Sequence, residues 1–244
     1  MRQAEKVDLG SDDWTMEIRP YASAFHFPIK ELWEYRDLLF LFVRRDFKTM
    51  YKQTILGPAW ILLSPLLTTG MFSLIFGRIA GISTDGTPTF LFYMAGNILW
   101  NYFSSCLSAA SSTFIGNAGL FGKVYFPRIV VPASSAVSKL ITFGAQFLLF
   151  LILLFCSLGS GQVRITWLCL MTPVLLVMLA LLAIGTGMIL ASLTAKYRDL
   201  QVLVGFGVQL WMYASPIVYP LSQIPGKWRI LLSLNPVAYI VECF

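Results

Sequence analysis

The stretch RRDFKTMYKQTILGPAW, Arg44 to Trp60, sets four basic side chains within nine positions against an uncharged run that begins near Gly57-Pro58. A membrane boundary has this character, because Lys and Arg stay on the cytoplasmic side of a bilayer while the residues that enter it lose their charge. Upstream, Ile29, Leu32, Trp33, Leu39, Phe40, Val43, Phe47 and Met50 recur at three- and four-residue intervals, with Lys30, Glu34, Asp37, Arg44 and Lys48 largely elsewhere. The pattern predicts an amphipathic helix within 29–54, lying in the cytoplasmic interface with its apolar face down. Gly57-Pro58 then permits the bend or helix start by which the chain turns upward. Residues 1–28 form a polar, acid-rich tail without the basic and apolar regions of a signal peptide, so the first span is expected to direct insertion.

Composition points the same way. Hydrophobic residues make up 57% of the chain and charged residues only 12%, and the mean hydropathy is +0.72, far above that of a soluble domain. Nine of the 12 acidic residues precede Gln53, leaving only Asp85, Asp199 and Glu242 for the rest. The expected fold is an all-α polytopic membrane protein, with its transmembrane domain over 55–244. Five segments reach the roughly 20 apolar residues that a span needs: Ile55–Phe76, Phe90–Ser112, Ala133–Leu158, Ile165–Thr194 and Leu200–Tyr219. The fourth is longer than needed and is expected to tilt, protrude or kink at Pro173.

With the N-terminus inside, the inner segments hold Lys30, Arg36, Arg44, Arg45, Lys48, Lys52, Lys123, Arg128, Lys139, Lys196 and Arg198, and the outer ones only Arg78, Arg164, Lys227 and Arg229. Eleven cations against four orient the protein. The net charge of +6 therefore reads as membrane orientation and not as a nucleic-acid surface, since no exposed stripe with interleaved aromatics accompanies it. Cys106, Cys156, Cys169 and Cys243 lack the spacing of a metal or disulfide framework, and the sole histidine, His26, lies upstream of the spans. No catalytic set and no metal ligand set is assigned.

Ser104, Ser105, Ser108, Ala109, Ser111 and Ser112 give the second span a small-residue strip, read as close helix packing. Residues 113–132 are too rich in Gly and Pro to continue that span and form a structured inner loop. At the other side, 220–244 carries two apolar stretches too short to cross, Trp228–Leu234 and Val237–Phe244, separated by Asn235-Pro236. Asn favours the N-cap and Pro the first helical turn, so the pair predicts a second short helix after a sharp outer re-entrant turn. The glycine pairs at 185/187 and 205/207, with Pro58, Pro65, Pro173 and Pro216, are candidate hinges.

Three stretches together resemble the permease subunit of type-2 ABC exporters for polysaccharides and polyol phosphates, the O-antigen, capsule and teichoic-acid group. They are RDFKTMYKQTILGPAWILLSPL at 45–66, NAGLFGKVYFPRIVVP at 117–132, and YRDLQ followed by SPIVYP, IP, W and LNP between 197 and 236. The resemblance covers nearly the whole chain from Ile29. It implies a homodimer in the bacterial inner membrane, paired with a separate cytoplasmic ATP-binding subunit, that moves a lipid-linked glycan outward. This chain has no GxxxxGK[ST] loop, so ATP and magnesium would be bound by that partner, and no cofactor by this chain.

By the same resemblance, Asn117, Leu120, Lys123, Tyr125, Phe126, Pro127 and Arg128 form a coupling element for the ATPase, with Tyr197, Arg198 and Asp199 as a second contact. Arg45, Asp46, Lys48, Tyr51 and Lys52 hold the interfacial or gate position. Trp60, Trp211, Tyr213 and Tyr219 are candidates for a translocation path along the first and fifth spans. Relatives of this pattern continue through a sixth span, so a further span beyond Phe244 is expected. The rival readings are an integral-membrane glycan enzyme, disfavoured by isolated acids, a channel or secondary transporter, disfavoured by the lack of charged ligands at mid-depth, and an ABC exporter of drugs or small lipids.

Overall fold

Proline cannot donate a backbone hydrogen bond, so it opens helices more readily than it continues them. Pro132, Pro173 and Pro236 each fall within the first turn of a helix. The computed structural model describes residues 29–51, 57, 59–158, 170–224, 226, 232 and 234–244, and among these there is no strand. Helices α1 (Ile29–Glu34) and α2 (Arg36–Tyr51) lie before the bundle. Then α3 (Ala59–Phe72) runs directly into a π-helical turn, Ser73–Ile79, followed by α4 (Thr89–Ser111). Two short helices, α5 (Thr113–Gly116) and α6 (Ala118–Phe121), lead to α7 (Val130–Leu158). The chain continues through α8 (Thr172–Lys196), α9 (Leu200–Tyr213), a 3-10 turn at Leu221–Gln223 and α10 (Pro236–Cys243).

Ala59–Ile79, Val130–Leu158 and Thr172–Lys196 are long and apolar enough to cross a membrane. The fourth long helix, α4, is less apolar because it stands at the centre, packed by α3, α7, α8 and α9. Met94, Leu99, Phe103 and Leu107 of α4 meet Phe143 of α7 and Leu179 and Ala183 of α8 in the main core. The outer faces carry exposed apolar side chains, such as Leu148 and Ile152 on α7, Leu181 and Ile189 on α8, and Val202 and Phe206 on α9. Lipid gives such side chains no reason to turn inward, so close packing has to hold the helices together. Gly187 on α8 shows how: a Cβ there would lie 2.5 Å from Ala110 Cβ and 3.0 Å from the Leu107 carbonyl oxygen. About two turns further on, Thr194 Oγ1 donates to the Ser111 carbonyl at 2.9 Å. The chain is an all-α, multi-pass membrane protein.

Several boundaries differ from the sequence reading. The interfacial helix is broken at Tyr35 into α1 and α2, and residues 52–56 lie outside the described residues. Gly57 takes a left-handed φ of 49°, the turn expected of it, while Pro58 is outside the described set. The fourth helix starts at Thr172 after a turn at Leu170–Met171, so Pro173 opens it and does not kink it. The fifth span, expected to reach Tyr219, stops at Tyr213, and its 14 residues extend about 21 Å. Pro216 disfavours helix just before it, and residues 214–217 form turns, with the Ile217 amide donating to the Ser215 carbonyl at 2.7 Å. Gly187, one of the candidate hinge positions, makes a close packing contact with α4. Trp228 and most of the first outer stretch, like residues 1–28, are outside the described residues.

Candidate functional site

At one end of the bundle, α2 lies along the first half of α7, and Ser138 Oγ of α7 donates to the Val43 carbonyl at 3.5 Å. A second, smaller core forms there from Phe42, Phe126, Val130 and Val131, with Leu38 and Phe121 packed against it. Phe126 is only 5% exposed, edge-on to the Phe42 ring at 5.9 Å and tilted against Phe121 at 5.4 Å. This aromatic lock fixes the loop between α6 and α7 to α2. Phe126 therefore faces inward, whereas Val124 and Tyr125 stand out, Tyr125 being 58% exposed.

The other loop residues divide the same way. Asn117 uses its side chain locally, Nδ2 donating to the Thr113 carbonyl at 3.0 Å, and its own carbonyl accepts the Leu120 and Phe121 amides. Leu120 and Pro127 are half-buried, Leu120 against the aromatic core. Lys123 and Arg128 are exposed, the Arg128 guanidinium resting 5.7 Å from the Phe114 ring. The surface left open is thus Lys123, Val124, Tyr125 and Arg128, mounted on a buried aromatic base. At the same end, Tyr197, Arg198 and Asp199 form the exposed turn between α8 and α9, with Lys196 Nζ 5.3 Å from the Tyr197 ring.

On α2, Arg45 spans two contacts, an ion pair to Asp46 at 2.9 Å and a cation–π contact with Phe42 at 4.8 Å. The ion pair is between sequence neighbours and partly exposed, so it contributes little to stability. Arg44 and Lys48 are exposed beside it. Tyr51 closes α2, its side chain outside the described residues, as Lys52 is altogether.

The four candidate path rings are not gathered in one place. Trp60 lies at a notch between α3, α4 and α7, whereas Trp211 lines an apolar groove of about 620 Å³ along α8 and α9. Trp211 Nε1 donates to Asn235 Oδ1 at 3.0 Å, and its ring meets Phe103 edge-on at 5.2 Å. Asn235 satisfies all four of its hydrogen-bonding sites. Oδ1 also accepts the Val237 amide at 3.1 Å, capping α10, while Nδ2 donates to the Ala214 carbonyl at 3.1 Å and Ser215 Oγ at 2.9 Å. Pro236 follows as the first helical residue. Tyr219 Oη donates to the Tyr213 carbonyl at 2.9 Å, joining those two residues locally.

The sequence reading missed a polar seam through the bundle. Asn101 Nδ2 donates to Asn97 Oδ1 at 3.4 Å, and Asn97 Nδ2 approaches the Pro65 carbonyl and Thr69 Oγ1 at 3.5 Å each. Gln146 of α7 donates to the Ile61 carbonyl at 3.2 Å. That carbonyl is the one whose helical partner would be the amide of residue 65, which proline lacks, so Gln146 supplies the missing donor. The signal was present in the spacing: Asn97, Asn101 and Ser105 share one face of α4, and Lys139, Thr142 and Gln146 share one face of α7. Among the described residues no cluster of His, Cys, Asp and Glu could hold a metal.

A helical bundle with an apolar exterior, a polar interior seam and a cation-bearing loop surface at one end is a multi-pass membrane protein. The chain belongs to the ABC-2 type transporter family, whose family model matches residues 37–244. It is 31% identical over 218 residues to the O-antigen export system permease protein RfbA of Myxococcus xanthus, covering 88% of this chain and 82% of that one. It is 27% identical to the protein of the same name from Klebsiella pneumoniae, covering 84% and 77% of the two chains. The polysialic acid transport protein KpsM of Escherichia coli is 26% identical over 84% of this chain and 78% of its own.

Proposed function

We propose that this chain is the membrane-spanning subunit of an ATP-driven exporter that carries a lipid-linked polysaccharide from the cytoplasmic side outward. A separate ATP-binding subunit would bind ATP and magnesium, and two copies of the permease would enclose the path. The inner end would be the α2 end, with the N-terminus cytoplasmic and the protein in a bacterial inner membrane. Membership of a transporter family and similarity to O-antigen and polysialic acid permeases support the cargo. The cation distribution supports the orientation.

The structural observation that carries the reading is the loop between α6 and α7. Force from an ATPase can reach the spans only through a surface that is open to a partner and stiff toward the bundle. Lys123, Tyr125 and Arg128 meet the first requirement, and Phe126, locked between Phe42 and Phe121, meets the second. The test replaces the open residues only: Lys123→Ala with Tyr125→Ala, coexpressed with the neighbouring ATP-binding subunit in cells that make the lipid-linked glycan. Loss of ATPase copurification and of surface glycan, with the permease still in the membrane, is expected. Full surface glycan in the double variant removes the loop from coupling. Surface glycan independent of the unmodified permease removes the export reading itself.

A further inference from the structure

We infer that the notch between α3, α4 and α7 binds the phosphate group of an inner-leaflet lipid. The notch has a volume of about 200 Å³, smaller than the roughly 300 Å³ at which pockets for whole drug-sized ligands begin. That suits one head group and not a sugar chain. Ser64 of α3, Tyr102 and Ser105 of α4, and Lys139 of α7 line it, with the half-exposed Trp60 among its walls.

Two groups in it lack the partners that their chemistry demands. Tyr102 is 3% exposed, yet its buried hydroxyl has no hydrogen-bond acceptor in reach, and the Cys106 thiol one turn on is a weak partner. A buried hydroxyl left unmatched costs free energy, so its retention needs a reason. Lys139 pairs with no carboxylate among the described residues, and none of those lines the notch. An ammonium, a phenol and a serine hydroxyl can all donate, and they share a notch with no anion: the missing group is an acceptor-rich anion.

Depth selects which anion. Ser138, the residue before Lys139, touches the backbone of α2 at Val43. An amphipathic helix such as α2 lies at the boundary of head groups and acyl chains. Lys139, the next residue along α7, therefore sits at the level where lipid phosphates lie. The lipid's source is either the carrier of the glycan cargo or a resident anionic phospholipid. The inference rests on the export reading for the first source alone.

Binding can be read without ATP or transport. The permease, purified with its ATP-binding subunit, is placed in phosphatidylcholine nanodiscs doped with a polyprenyl diphosphate or with phosphatidylglycerol, and retained lipid is measured after extraction. Lys139→Gln with Tyr102→Phe should weaken retention of at least one probe by about tenfold or more, the scale of one lost charge-assisted hydrogen bond. Lys139→Arg should keep it. Weakening confined to the polyprenyl probe assigns the site to the cargo carrier. Weakening for phosphatidylglycerol, with no retention of the polyprenyl probe, keeps the phosphate site and removes support for a lipid-linked cargo. Unchanged retention of both probes, or none by the unmodified protein, overturns the inference. Should the double variant fail to fold, a photo-crosslinking residue in place of Trp60 decides: preferential labelling of a phosphate-rich probe supports the site, and labelling no greater than that of phosphatidylcholine overturns it.

Discussion

The two cores of this protein are held by different forces. Around α4, helices touch through small groups and backbone, with Gly187 against Ala110 and Leu107, in surroundings as apolar as the side chains themselves. At the α2 end, bulky rings from distant parts of the chain, Phe42 and Phe126, close on one another apart from the main core. Lipid supplies no hydrophobic drive between helices, so the first core depends on shape. On the proposed orientation the α2 end meets water, so the second is held by burial of aromatic area. Shape tolerates little change, whereas a small aromatic cluster at an edge can relax. The first core thus carries the existence of the bundle, and the second, on the proposed reading, its connection to an ATP-binding partner.

The largest effect should come from adding bulk where α4 and α8 meet. Gly187→Leu drives a side chain into Ala110 and the Leu107 carbonyl, neither of which is the flexible end of a side chain, so the helices must separate. The expected cost is at the upper end of overpacking, about 3 kcal/mol or more. Membrane-fraction yield and monodispersity in detergent should both collapse, and a normal yield would show that α4 and α8 slide freely. Phe126→Ala acts on the other core. Its cost should be about 2 kcal/mol, below the roughly 3–5 kcal/mol of a fully enclosed ring, because neighbours at the edge can close in. Bundle stability should fall modestly while ATPase copurification drops several-fold. If thermal stability instead falls as far as for Gly187→Leu, the two cores are one cooperative unit and the contrast between them is wrong.

The spans were legible in the sequence as long apolar runs, as at Ala133–Leu158, whose helix the structure starts three residues earlier at Val130, closer to Arg128. The end of the fifth was not, because Ala214 to Tyr219 stays apolar while Pro216 and the Ser215 turn break the helix. Apolarity reports insertion, and hydrogen bonding decides shape. Asn235 was legible as a cap, since the Asn-Pro pair is a local signal, but its bond to Trp211 joins residues 24 apart and had no local trace. The loop's Lys123 and Arg128 were readable as surface cations. Phe126 was not readable as a buried anchor, because its partner Phe42 lies on another element. The polar seam was written as matched stripes on α4 and α7, and went unread because each stripe alone looks like ordinary helix packing.

The smallest expected effect tests whether polar contacts in the main core matter beside its packing. Pro65 leaves the Ile61 carbonyl without its helical donor, and Gln146 reaches across from α7 to supply one at 3.2 Å. Removing the amide by Gln146→Leu should cost about 1 kcal/mol, since hydrogen bonds between membrane helices are worth roughly 0.6 kcal/mol on average and at most near 1.7. That is well below the packing defect at Gly187. A stability loss alone would not identify the cause, because leucine also changes the shape of the site. Pro65→Ala separates the two, as alanine restores an amide that can bond to Ile61 from within α3. In that background Gln146→Leu should cost nothing measurable in thermal stability if the carbonyl is what the glutamine serves. An equal loss in both backgrounds would mean that Gln146 acts through packing, and that shape alone accounts for the main core.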